Sequence, residues 1–194
     1  MTQLEASLFA DVADALGISS PSIAEKDYYA IQLLNLLSQL TSDHYDLVFS
    51  GGTCLAKAHK NTYRMSEDID IKLIPKPDTL RLTTSEQKSL RRTVSTDILA
   101  LIKGASLFQV ENIKKRNEGK YQQYLIEYPK AYQDTDALRP HIQLDVTESS
   151  LLQPAINCSL SSLYAQVAGI EPEVESFSSR PDTAPKTSAT SFEV

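Results

Sequence analysis

Two periods alternate along this chain. Leu4, Leu8, Val12 and Leu16 recur every four residues and stop at Gly17, which predicts an amphipathic helix closed by a C′ glycine. Ser22-Ile23-Ala24-Glu25 fits a capping box opening a second helix, with Leu33, Leu37 and Leu40 on one stripe. Leu47-Val48-Phe49 predicts a strand over 46–50, followed by Gly51-Gly52 and a short helix from about Thr53 to Lys60. The period then drops to two: Ile69, Ile71 and Leu73 alternate with Asp68, Asp70 and Lys72. Pro75-Lys76-Pro77-Asp78 reads as a loop. Thr83 or Thr84 caps a helix carrying Leu90, Val94, Ile98 and Ile102, ended by Gly104, with Lys88, Arg91 and Arg92 on its outer face. Beyond Leu107 the period returns to two, and Asn117-Glu118-Gly119 predicts the turn of a hairpin over 106–116 and 120–128. A last strand, His141–Thr147, buries Ile142, Leu144 and Val146. Glu171–Val194, rich in Ser, Thr and Pro, predicts a flexible tail. The class expected is α+β (α/β): a mixed twisted sheet flanked by helices over 1–170, with a tail over 171–194.

The alternation over 68–73 has a chemical consequence. If the isoleucines face the core, Asp68 and Asp70 point together to the other face. Paired oxygen donors on a rigid strand are what a hard divalent cation needs. Upstream, Gly51-Gly52 lets backbone N–H groups approach an anion closely, and a helix start follows. Ser50, Gly51, Gly52 and Thr53 are therefore expected around a triphosphate. Lys57, one turn into that helix, is expected to contact phosphate, and Arg64 and Ser66 flank the approach to the carboxylates. Lys114, Lys115, Arg116 and Lys120 crowd the hairpin turn and form the densest basic cluster of the chain, a candidate hold on an RNA backbone.

The pattern Gly-Gly-Thr-x-Leu-x-Lys, followed by Arg64-Met65-Ser66-Glu67-Asp68-Ile69-Asp70, resembles the AbiEii/AbiGii-type toxins of the nucleotidyltransferase superfamily, including the relatives called MenT. Glu25-Lys26-Asp27-Tyr28 resembles a signature these proteins carry upstream of the glycine motif; physically it is a charged first helical turn. The resemblance implies a nucleotidyltransferase fold. It also implies a third carboxylate on a neighbouring strand, for which Asp145 is the candidate. The implied cofactor is Mg2+ or Mn2+, with a nucleoside triphosphate as substrate. The implied acceptor is a hydroxyl, the tRNA 3′ end in some members, and the implied partner is a cognate antitoxin. Such proteins continue into a helical C-terminal portion, and this portion is expected to be missing here. A catalytically silent nucleotide- or RNA-binding protein and an aminoglycoside-type small-molecule nucleotidyltransferase are the competing readings.

Bulk properties narrow this only a little. The 194 residues suit one domain, and a net charge of −6 argues against indiscriminate coating of nucleic acid. No apolar run approaches the roughly 20 residues of a membrane span. With no basic-then-apolar leader, the expected address is cytoplasmic. Cys54 and Cys158 are expected to be reduced.

Overall fold

In the computed structural model, which describes residues 3–54, 57, 67–132, 138–151 and 154–180, each helix boundary has a local cause. Helix α1 (Ala6–Leu16) ends at Gly17, whose φ of 64° turns its N–H back onto the carbonyls of Ala13 and Asp14. Helix α2 (Pro21–Ser38) opens earlier than the capping-box pattern suggests. Ser20, not Ser22, is the N-cap; its hydroxyl accepts from the Ser22 N–H, and Pro21 takes the first helical position. That shift places Glu25 inside the helix, where it serves another element. Helix α5 (Thr84–Gly104) starts as expected, with a reciprocal capping box between Thr83 and Glu86.

Seven strands form one mixed sheet: β1 (Tyr45–Ser50), β2 (Asp68–Pro75), β3 (Gln109–Arg116), β4 (Tyr121–Glu127), β5 (Ile142–Glu148), β6 (Ile156–Leu160) and β7 (Val174–Ser179). Their order is β3-β4-β5-β2-β1-β7-β6. The β2–β5 and β1–β7 pairs are parallel and the others antiparallel. Short helices α3 (Gly51–Cys54), α4 (Pro77–Leu80) and α6 (Leu163–Ala168) lie in the connections, and a single 3-10 turn (Asn117–Gly119) closes the β3–β4 hairpin. Strand β2 runs to Pro75, and the expected loop after it contains the one-turn helix α4, opened by Pro77.

One face of this sheet is dry. Phe49, Ile69, Ile71, Leu73, Tyr124, Ile126, Ile142, Leu144 and Val146 are buried there in one core with Leu33 and Leu37 of α2 and Val94, Ile98 and Ile102 of α5. Arg91, expected on the solvated side of α5, is instead buried, because Glu148 at the end of β5 supplies a counter-charge. Its Nη1 donates to Glu148 Oε2 at 3.0 Å, and the Tyr45 hydroxyl donates to the same oxygen at 3.0 Å. Burial, reinforced by the Glu148 charge, pushes the Tyr45 phenol up to about 12.

Part of the segment expected to be a flexible tail is a strand. Val174–Ser179 forms β7, between β1 and β6. The Ser-rich composition masked a buried face: Val174 and Phe177 enter the core, and the Phe177 ring stacks on Phe49 with centroids 6.3 Å apart. Residues 181–194 lie outside the described residues. Phe177→Ala is expected to lower stability by about 3–4 kcal/mol in urea unfolding, as for a large side chain removed from a core. A change within about 0.5 kcal/mol, the ordinary surface value, would return this segment to a tail.

Candidate active site

The opposite face of the sheet is polar, and its rows follow from register. In parallel and antiparallel pairs alike, directly opposed residues share a face. Ser50 pairs with Asp70, Asp70 with Asp145, Asp145 with Gln123 and Gln123 with Lys114, making one row across five strands. The row on one side holds Asp68, Gln143, Leu125 and Asn112, and the row on the other holds Lys72, Thr147, Tyr121 and Arg116. Asp68, Asp70 and Asp145 thus lie on one face of two adjacent strands, with Asp70 and Asp145 side by side.

Gly51 brings the β1–α3 turn against this cluster. Its φ is +77°, a left-handed value that favours glycine, and a Cβ built on it would lie 2.0 Å from Asp70 Oδ2. No side chain fits between the turn and that carboxylate. Ser50 and Thr53, expected to touch the nucleotide, use their hydroxyls to join turn to strand. Ser50 Oγ donates to the Asp70 carbonyl at 3.4 Å and Thr53 Oγ1 to the Asp68 carbonyl at 2.6 Å. Gly52 is exposed beside them.

The charged run Glu25-Lys26-Asp27, expected as a first turn, lies in the second turn of α2 and is a buried hub rather than a solvated cap. Glu25, Lys26 and Asp27 are all buried, Lys26 to 1% exposure. Each charge has work in a different segment. Glu25 accepts the backbone N–H groups of Ala131 and Tyr132. Lys26 Nζ donates to Glu67 Oε2 at 2.7 Å and to the Arg139 carbonyl at 2.9 Å. Asp27 accepts the Leu163 N–H at the start of α6 and pairs with Lys57 at 2.5 Å. The Lys57 ammonium, expected on phosphate, also reaches the Ser161 carbonyl, so a phosphate role would require the Asp27 pair to open.

Protein donors hold Asp68 and Asp145 in defined positions. Arg139 Nη1 donates to Asp68 Oδ1 at 2.6 Å and to Gln143 Oε1 at 2.9 Å. That second bond orients the Gln143 amide so that its Nε2 reaches Asp145 Oδ2 at 3.1 Å. Tyr121 OH and Gln123 Nε2 donate to Asp145 Oδ1 at 3.1 and 3.2 Å. Burial raises the Asp68 carboxyl above its ordinary range, Arg139 opposes the rise, and the charges of Asp145 and Glu67 add to it. Held this way, no three acidic, histidine or cysteine groups among the described residues converge on one point. The donor set nevertheless fits a hard divalent cation: three carboxylates share one strand-borne face, and the negative potential they create is what such an ion relieves.

Residues 35–180, most of the chain, match the family described as Nucleotidyl transferase AbiEii toxin, Type IV TA system. The chain belongs to the AbiEii family. A search of curated proteins finds no match. Among solved structures, MenT4, a nucleotidyltransferase toxin from Mycobacterium tuberculosis H37Rv, is similar at 24% identity and a TM-score of 0.58. The match covers 91% of this chain and 55% of that one, so this chain spans about half the length of the solved relative. The nucleotidyltransferase fold expected from the glycine and Asp-x-Asp motifs is the fold found.

In this AbiEii chain the basic cluster at the hairpin divides. Lys114 stands in the row of Asp70 and Asp145, and Arg116 in the adjacent row of the same face; with strands about 4.8 Å apart the Lys114 Cα lies roughly 10 Å from that of Asp145. Lys115 faces the other way and donates to Ser95 Oγ on α5, and Lys120 lies 3.7 Å from Glu148. A one-residue step along a strand changes the face, so proximity in sequence misled. Arg64 and Ser66 lie outside the described residues. The residue that motif reading missed is Arg139, whose position beside Asp68 depends on contacts distant in sequence.

Two outcomes test this arrangement. Gly51→Ala is expected to cost about 1–2 kcal/mol from the left-handed backbone alone. It should also displace the Asp70 carboxylate, visible as lost Mn2+ binding at a temperature where the variant remains folded. Glu67 tests the hub by pH. Burial alone would raise its carboxyl, but the Lys26 hydrogen bond, the Arg139 N–H and the Lys26 charge outweigh it and hold it below the ordinary value. A depressed folded value stabilises above the unfolded one and is lost as pH falls through the folded one. Urea unfolding of Glu67→Gln between neutrality and about pH 3 should therefore show a shallower acid loss than the parent.

Proposed function

We propose that this chain transfers a nucleoside monophosphate from a nucleoside triphosphate to a hydroxyl acceptor, the 3′ end of tRNA, with Mg2+ or Mn2+ as the cofactor. Family membership supports the reaction class. The observation that carries the reading is the in-register placement of Asp70 and Asp145, with Asp68 one row away, against a glycine turn that admits no side chain.

In this reading Asp68, Asp70 and Asp145 hold the divalent cation, which supplies charge neutralisation for the attacking and leaving oxygens. Ser50, Gly51, Gly52 and Thr53 shape the wall against which the phosphates lie. The acceptor hydroxyl attacks the α-phosphorus in line; its oxygen forms the new P–O bond, its proton passes to Asp145, and the bond to the β-phosphate oxygen breaks to release pyrophosphate. Tyr121, Gln123 and Gln143 fix the Asp145 carboxylate for this task by three hydrogen bonds. Lys114 and Arg116 extend the same face with positive charge, where the acceptor's phosphates approach. Nothing in the protein has to be reorganised covalently. Positioning and electrostatics carry the rate.

The biological reading follows the family: a toxin held in check by a cognate antitoxin, with its target in the translation apparatus. No helix among the described residues is long and apolar enough to cross a membrane. Incubation with tRNA and each labelled triphosphate in turn should label the RNA with at least one of them, and no labelling by any would sink the proposal. Asp70→Asn should reduce the labelling rate by roughly 10²–10³-fold, the scale set by loss of one electrostatic stabiliser. In cells, growth arrest by the parent and its absence in an Asp68→Ala, Asp70→Ala double variant at equal level is the matching result.

A further inference from the structure

We propose that Arg139 is an exchangeable cation of this site. In this structure its guanidinium rests on Asp68, and when a divalent ion and triphosphate bind it passes from the carboxylate to the phosphates. The inference rests on the nucleotidyl-transfer reading and assigns that site a residue no motif marks.

The backbone and the side chain of Arg139 behave differently. The backbone is clamped at both polar groups: its N–H donates to Glu67 Oε2 at 2.7 Å, and its carbonyl accepts from Lys26 Nζ at 2.9 Å. Lys26 and Glu67 are themselves paired at 2.7 Å, with Lys26 buried in the second turn of α2. The side chain is 48% exposed and ends on Asp68, itself 34% exposed. A solvent-reached guanidinium on a fixed base can swing without loss of the fold.

Its present partner is a carboxylate a cation needs. Arg139 Nη1 lies 2.6 Å from Asp68 Oδ1, so a metal ion bound to that carboxylate would meet the positive guanidinium at close range, and the two cations compete for one negative charge. The same nitrogen holds Gln143, which in turn holds Asp145. One polar chain therefore runs Asp68, Arg139, Gln143, Asp145, and it holds the Asp68 and Asp145 carboxylates where they stand. Release of Arg139 frees Asp68 and loosens the amide on Asp145 together. The freed guanidinium then stands at the rim of the carboxylate cluster, where the triphosphate that accompanies the ion brings oxygens able to accept a planar fork. Both of its partners in the exchange are anions, so the charge it neutralises is never left bare.

The test uses Mn2+ alone, read by electron paramagnetic resonance, and then inorganic triphosphate with saturating Mn2+, read by calorimetry. Neither readout needs turnover. Arg139→Gln keeps the backbone clamp and removes the fork. It should bind Mn2+ about three- to fivefold more tightly than the parent, the scale of one exposed ion pair released. It should bind inorganic triphosphate at least fivefold more weakly. Lys114→Gln removes one positive charge from the same face without touching Asp68, and a smaller change in Mn2+ affinity there separates direct competition from general electrostatics. Equal Mn2+ affinity in the parent and Arg139→Gln, or an equal gain in Lys114→Gln, overturns the exchange while leaving the metal site intact. Tighter Mn2+ with unchanged triphosphate affinity overturns the passage to phosphate. Absence of Mn2+ binding in the parent and in Arg139→Gln alike overturns the metal-site reading itself, and the exchange with it.

Discussion

Burial of one sheet face obliges the other to be acidic. Ile69, Ile71 and Leu73 on β2, and Ile142, Leu144 and Val146 on β5, are almost completely removed from water. Each such side chain is worth about 1.5–3 kcal/mol on burial. Because side chains alternate along a strand, that burial fixes Asp68, Asp70 and Asp145 on the remaining face. Their mutual repulsion, about 1–4 kcal/mol per close pair in the dielectric of a protein surface, is too small to change the register. The fold therefore forces together charges that would not associate unaided. A one-residue slip of β2 would bury Asp68 and Asp70 and expose Ile69 and Ile71.

The protein meets that repulsion with its own groups. Arg139 holds Asp68, and Gln143, Gln123 and Tyr121 hold Asp145. Such contacts are weak enough to be replaced, since each involves groups that water or a ligand can reach. The support beneath them is of a different kind. Lys26, with Glu25 and Asp27, lies in the interior and bonds to segments far apart in the chain, so that the strand start at Glu67–Asp68, the loop carrying Arg139 and the start of α6 are referenced to one helical turn. A buried charge is costly unless its partners are in place, and this makes the hub an all-or-none support. A rigid base under replaceable surface contacts is an arrangement suited to binding an ion and a charged substrate in turn.

Much of this was legible from the residues. The period-two run over 68–73, the glycine pair before it and the second alternating strand around Asp145 gave the carboxylate face and its sheet, because local periodicity reports burial directly. The helix ends at Gly17 and Thr83 were equally local. Where the reading failed, the deciding partner lay elsewhere in the chain. Arg91 reads as a surface residue until Glu148 is placed beneath it. Ser-rich 174–179 reads as a tail until β1 and β6 flank it. Lys114 to Lys120 read as one basic cluster until pairing sends Lys115 to the opposite face.

The sequence by itself thus determined which residues alternate, that helices end at Gly17 and open at Thr83, and that two carboxylates of β2 must point the same way, since each of these follows from the chain's short-range geometry. Only the tertiary structure decided that Asp145 lies opposite Asp70, that Lys57 pairs with Asp27, and that Arg139 stands on Asp68. Those are contacts between positions tens of residues apart, and no local period encodes them. They are set by which strands pair and by which buried charges find one another once the core has formed.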